Sequence, residues 1–279
     1  MKFLKKYKDF KGNNEVRLEI AETVFSIASD TKRPPKAIEQ IKENYRPFLT
    51  EKEPDIHILL KVERIARDPY WDKNIYKATV KDNSFHFNYD DLKAEGDLKI
   101  GRVAVQAVRG FGLGDFLRAL VSVVLIKRSG FLVHSSGVVD KGKAYLFLGP
   151  SGSGKTTVAR LSNGRDILND EAIAFTRKND QWQAFATPFY GDFGRQDSNC
   201  NAPIEAMFFL KKGSGFSHRK LNRKEAIVRM LHQIMITSPN LKNFEYIFGM
   251  QCDLFASIPT YELEFKPSAS IWRYVHGIS

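Results

Sequence analysis

Gly149, Gly154, Lys155 and Thr156 stand at the spacing G-x-x-x-x-G-K-[ST], within Gly149-Pro150-Ser151-Gly152-Ser153-Gly154-Lys155-Thr156-Thr157. An apolar run at 144–148 leads into this segment and a helical pattern leaves it through about residue 161, the context that a Walker A loop requires. Glycines let consecutive backbone N–H groups turn inward around phosphate oxygens, and the helix start adds a favourable field. Lys155 would then reach the β- and γ-phosphates, and the Thr156 hydroxyl would meet a magnesium ion. Ser151, Gly152, Ser153 and Thr157 complete the expected nucleotide-contacting set. The ligand expected from this spacing is ATP with Mg2+.

A magnesium site needs carboxylates beside the loop hydroxyl, and Asp170 and Glu171 follow Lys155 by fifteen and sixteen residues. Ile167, Leu168, Ala172, Ile173 and Ala174 bracket the pair, so an apolar strand over 167–175 is expected to carry it inward, where an acidic pair wants a cation. The helix between loop and strand is shorter than the roughly dozen residues that a parallel crossover needs. An antiparallel or mixed neighbour is therefore expected. In a regular strand Asp170 and Glu171 would point to opposite faces, leaving one with a structural role. Asp170 is the one expected to face the site.

His134 lies in the apolar run Phe131-Leu132-Val133-His134, where a lone histidine is ordinarily a core residue. If strands 131–139 and 144–148 pair through a Lys141-Gly142 turn, His134 comes near the level of Gly149, within reach of a γ-phosphate.

The elements that must position these residues fall into two groups. Alternating apolar residues at 16–27, 56–62, 76–80, 85–87 and 98–108 predict a strand-rich first part, with a helix over 35–45 that starts after Pro34. Gly110-Phe111-Gly112-Leu113-Gly114 breaks the pattern and delivers an apolar helix over 115–127. A domain change is placed near Ser129, giving a β-rich domain over 1–128 and a nucleotide-binding domain over 129–279. Beyond the acidic pair, strands are expected at 182–186, 205–210 and 261–265, and helices at 223–236 and 241–255.

Composition narrows the classes. Forty-three Lys and Arg against 32 Asp and Glu give a formal charge of +11, a field that attracts polyanions. The basic residues cluster at 1–11 and 218–224 without interleaved aromatic residues, so they read as solvated faces and a nucleic-acid partner is not indicated. Cys200 and Cys252 are too few for a disulfide framework, and no Cys/His spacing suggests zinc. The lysines at the start precede no apolar stretch of signal-peptide length, which points to a cytoplasmic protein. Residues 117–126 are the most apolar run, about half of the ~20 needed to cross a membrane, and read as a buried helix.

His134 with Gly137-Val138, the loop over 149–156 and Asn169-Asp170-Glu171 together resemble the catalytic domain of HPr kinase/phosphorylase and the related serine kinases. That family shares its architecture with ATP-dependent phosphoenolpyruvate carboxykinases. The resemblance covers 131–171 and extends more loosely through Thr187-Pro188-Phe189-Tyr190-Gly191 and Ala202-Pro203-Ile204. It implies an α/β (α+β) P-loop kinase domain with a mixed sheet, moving the ATP γ-phosphoryl group onto a serine-type hydroxyl. The residue matching Asp170 would be the general base, that matching Glu171 would help with metal, and that matching His134 would lie close to the phosphates. This chain has Gly154-Lys155-Thr156-Thr157 where HPr kinase/phosphorylase has Gly-Lys-Ser-Glu, and it lacks that enzyme's later glycine-rich, arginine-containing signature. The phosphorylase activity is therefore not carried over, and the expected acceptor is a hydroxyl on a peptide, another protein or a small molecule rather than HPr.

Two other readings stay open: a nucleotide-gated regulatory protein without transfer, and a carboxykinase-like enzyme for a small acid. The loop over 191–198, with Arg195, is a segment that could close over a substrate or lie on the surface. Asp192-Phe193-Gly194 within it lacks the context of a protein-kinase metal motif. The apolar helical patterns near the carboxyl terminus could serve a homo-oligomer or their own core.

Overall fold

A computed structural model describes residues 13–29, 31–63, 77–89, 92–108, 112–195, 198–237 and 241–278. The basic cluster at 1–11, Tyr76, Gly110-Phe111 and Gln196-Asp197 lie outside the described residues. The architecture is mixed α+β, with two mixed sheets and few helices. The chain divides into two compact units, one of residues 1–124 with 237–239 and one of residues 125–236 with 240–279.

In the first unit, β1 (Asn13–Ile20) and β2 (Thr23–Ser29) form a hairpin. The uniform alternation expected over 16–27 is interrupted at Ala21 and Glu22, whose positive φ angles of 47° and 60° make the two-residue turn. Helix α1 (Lys36–Asn44) begins after Pro35, which cannot donate a backbone hydrogen bond and loses nothing at a helix start. There follow β3 (Ile56–Glu63), β4 (Lys77–Lys81), β5 (Ser84–Tyr89), β6 (Leu92–Asp97) and β7 (Arg102–Val108). The strand expected over 98–108 starts only at Arg102, because residues 98–101 turn the chain, and β6 before it had no clear sequence signal. The seven-stranded order is β1-β2-β3-β7-β6-β5-β4, parallel across β2-β3 and β3-β7 and otherwise antiparallel. Helix α2 (Leu113–Lys127) is the predicted apolar helix, and its Phe116 packs on Phe85 and Phe87 of this sheet.

The second unit starts with β8 (Gly130–Asp140) and β9 (Lys143–Leu148), joined by a turn in which Lys141 and Gly142 both have positive φ. Helix α3 (Lys155–Arg160) follows, then β10 (Asp166–Asn169), β11 (Ala172–Lys178), β12 (Gln181–Phe185) and β13 (Asn201–Lys212). Next come β14 (Ser217–Lys220), α4 (Arg223–Leu231), α5 (Leu241–Ser257), β15 (Thr260–Phe265) and α6 (Ile271–His276). Strand β14 overlaps the basic segment expected to be a solvated face; its side chains are exposed while its backbone pairs with β15. The helix expected through residue 236 stops at Leu231, because Ile234 forms a bridge with Val133 instead.

In this eight-stranded sheet β9 lies between β8, antiparallel, and β13, parallel. Strand β8 is long enough to pair twice on its other side, with β11 along 130–134 and with β10 along 137–139. The acidic segment is thus an antiparallel neighbour of β8, one strand removed from the one that enters the glycine loop. The core between sheet and carboxyl-terminal helix includes Tyr145, Phe147, Phe208, Tyr261, Trp272 and Val275. Among the described residues no helix is long and apolar enough to cross a membrane.

Candidate functional site

Strand β9 ends at Leu148 and releases the loop at Gly149, whose φ of 146° turns the chain away from the sheet. Gly154 closes the loop with φ 107°, and a Cβ there would lie 2.7 Å from the Phe265 ring, so only glycine lets α3 start against β15. Lys155, the first residue of α3, is 7% exposed and folds back along the loop. Its Nζ donates to the carbonyls of Gly149 at 2.8 Å and Pro150 at 3.2 Å. Burial lowers its pKa below the ordinary lysine value of 10.5, while the charges of Glu171 and Asp170 act in the opposite direction.

The acidic pair is not in a regular strand. Asn169, fully buried, accepts from the backbone N–H of Glu171 at 2.7 Å and of Ala172 at 3.1 Å through its own side-chain oxygen. Its amide nitrogen donates to the Thr187 carbonyl at 2.8 Å. Such an Asx turn gives the backbone a local alternative to the sheet ladder, and it breaks the expected strand into β10 and β11. The expectation that Asp170 and Glu171 point to opposite faces is therefore corrected: both line one cavity.

Asp170 is buried and its carboxylate is held by three donors. The Thr156 hydroxyl donates to Oδ2 at 3.1 Å, the Phe193 N–H to Oδ2 at 2.8 Å and the Gly191 N–H to Oδ1 at 3.0 Å. His134 sits one step beyond the pair Ser135↔Leu148, level with Gly149, and opposite Ala172 on β11. Its Nδ1 lies 3.3 Å from Glu171 Oε2 and 3.1 Å from the Glu171 carbonyl.

These groups surround a cavity of about 570 Å³ lined by His134, Ser151, Gly152, Ser153, Gly154, Lys155, Thr156, Thr157, Asp170 and Glu171, together with Gly191, Asp192, Lys212, Gly213, Phe265 and Pro267. Every site residue expected from the sequence lines it except Gly149, whose carbonyl anchors Lys155 at its edge. Arg195 is exposed and does not line it. Lys212, Gly213, Phe265 and Pro267 had no signal in the sequence beyond lying at strand ends, since β13 and β15 deliver them only once the sheet has formed.

The donor set fits a phosphate. Ser153 lines the cavity, its Oγ is buried without a hydrogen-bond partner among the described residues, and a Cβ at Gly152 would meet nothing within 4 Å. Among the described residues no group of three or more His, Cys, Asp or Glu side chains is arranged to hold a metal. The fit to magnesium is accordingly of the kind that completes one or two protein oxygens, here Thr156 and Asp170, with oxygens of a bound phosphate.

No curated protein matches the chain. Among solved structures, the Hpr(Ser) kinase/phosphatase from Coxiella burnetii is similar at 10% identity and a TM-score of 0.32, over 53% of this chain and 99% of that one. So distant a superposition gives the chain no fold name. The family model for SynChlorMet cassette protein ScmC matches residues 113–278, which include the whole cavity lining. That match spans more than half of the sequence, and the chain belongs to the ScmC family of SynChlorMet cassette proteins.

Proposed function

We propose that the chain is an ATP- and Mg2+-dependent kinase, with a P-loop domain of the HPr kinase and phosphoenolpyruvate carboxykinase type, that phosphorylates a serine-type hydroxyl on a peptide, protein or small molecule. The observation that carries this reading is the convergence of Lys155, Thr156 and Asp170 on one cavity, with the Thr156 hydroxyl 3.1 Å from the Asp170 carboxylate. Phosphoryl transfer needs positioning and charge neutralisation more than covalent chemistry, and this set supplies both.

In this reading the loop over 149–157 holds the phosphates through backbone N–H groups, Ser153 and Lys155. Thr156 and Asp170 would hold a magnesium ion, with Glu171 beside them, and such an ion would supply neutralisation of phosphate charge. Asp170 takes the proton of the acceptor hydroxyl as the acceptor oxygen bonds to the γ-phosphorus and the bond to the β-phosphate bridging oxygen breaks, leaving ADP. His134, 3.3 Å from Glu171 Oε2, would lie close to the phosphates and orient that carboxylate.

One observation also suits a regulator without transfer: Asp170 anchors residues 191–193, so an ion drawing on its carboxylate would loosen that segment. The experiment that separates the two is incubation with γ-labelled ATP, magnesium and serine-containing peptides, with the label located by mass, for the natural chain and Asp170→Asn. A kinase labels a hydroxyl and loses labelling in Asp170→Asn while still binding ATP. Labelling that survives this substitution would remove Asp170 as the base, and ATP binding with no acceptor labelled would sink the kinase reading.

A further inference from the structure

Gln233 reaches the edge of the site, at Gly149, from a distant part of the sequence and carries no motif. It follows α4, where Ile234 bridges to Val133, and its own carbonyl accepts from His134 N–H at 2.7 Å. Its side chain is 8% exposed, and its carboxamide stands 3.1 Å from the Gly149 carbonyl oxygen and 3.3 Å from that of His134. Both neighbours can only accept, so the amide nitrogen faces them and donates to both. A carbonyl oxygen has two lone pairs, and that of Gly149 is therefore shared between Gln233 and Lys155 Nζ.

We infer that Gln233 is a positioning residue for the phosphate loop: it fixes the Gly149 carbonyl that aims Lys155, and ties that carbonyl to His134 across the neighbouring strand. An ammonium group has three donors, and Lys155 spends two on Gly149 and Pro150, which directs the third. Without Gln233 the Gly149 carbonyl loses one of its two constraints, and the lysine and the His134–Glu171 pair lose their common reference. The inference rests on the phosphate-binding reading of the loop.

The test compares magnesium–ATP affinity, by titration calorimetry, for the full natural chain, Gln233→Met, Gln233→Glu and Lys155→Met. Gln233→Met is expected to weaken binding about tenfold, in the range for a lost donor to a buried carbonyl. Gln233→Glu sets a carboxylate against two carbonyls at about pH 8, but protonation at about pH 6 restores one donor, and burial favours the protonated form. Its affinity relative to the natural chain should therefore recover as pH falls, whereas that of Gln233→Met should not. Natural affinity in Gln233→Met, or no recovery of Gln233→Glu as pH falls, overturns the inference. If Gln233→Met fails to fold, the pH recovery of Gln233→Glu decides. Loss of binding in Lys155→Met with natural binding in both Gln233 variants would overturn this inference alone; natural binding in Lys155→Met would overturn the phosphate-loop reading and the inference with it.

Discussion

The Thr156 hydroxyl donates to the Asp170 carboxylate across 3.1 Å, joining the first turn of the helix after the glycine loop to the break between two strands. Each partner is held independently: Thr156 by the helix start and Asp170 by the N–H groups of Gly191 and Phe193. The pair therefore presents oxygen atoms at one point of the cavity wall without needing a ligand to gather them.

If an ion is held there, Thr156→Val should abolish the strengthening of ATP binding by magnesium while leaving metal-free binding within about threefold, since the side chain keeps its shape. Thr156→Ser should retain the magnesium response. Calorimetry with and without magnesium reads both, and an unchanged response in Thr156→Val would remove this hydroxyl from the ion site.

Asn169 should be a stability determinant more than a ligand. It is fully buried and its side chain satisfies two backbone N–H groups and one carbonyl. Asn169→Ala leaves these groups short of partners and should cost about 2–3 kcal/mol. The midpoint of denaturant unfolding should fall with an unchanged slope. A loss below a few tenths would mean that the turn forms without the side chain.

If the loop binds a nucleotide, the lowered pKa of Lys155 should give that binding an alkaline limb. Phosphate favours the charged lysine, so the pKa is higher in the complex than in the free protein. Affinity is then complete below the free-protein pKa and declines as pH rises from that value through the pKa of the complex. Because burial lowers the free-protein pKa, the decline should begin below 10.5. Lys155→Arg, charged throughout this range, should bind with no such limb; a persisting limb would assign it to another group.

Trp272 should support the helix after the glycine loop from behind. Its indole N–H donates to Ser162 Oγ at 2.9 Å, and the Ser162 hydroxyl donates to the Val158 carbonyl of α3 at 2.6 Å. The side chain is buried, with the Arg165 guanidinium 4.2 Å from the ring. Trp272→Ala should destabilise the fold by about 3–5 kcal/mol. Trp272→Phe keeps most of the packing but leaves Ser162 without its donor, and should lose about 1 kcal/mol. Equal thermal midpoints for the two variants would show that the hydrogen bond and the ring volume do not separate.

What the sequence by itself determined are features whose causes are local. Glycine spacing after an apolar run specifies a strand, a loop and a helix start at 144–160, because backbone freedom and side-chain periodicity act within a few residues. The turn at Lys141-Gly142 and the pairing it imposes are likewise local, and they bring His134 level with Gly149. Tertiary structure decided the rest. Period-two reasoning placed Asp170 and Glu171 on opposite faces, but the Asn169 side chain, braced against Thr187 on a distant segment, bends the chain so that both meet the cavity. Lys212 and Phe265 reach the site, and Gln233 its edge at Gly149, only through pairings between strands and segments far apart in the chain. Such contacts depend on which strand wins a neighbour, a choice set by the packing of the whole sheet that no short window of residues encodes.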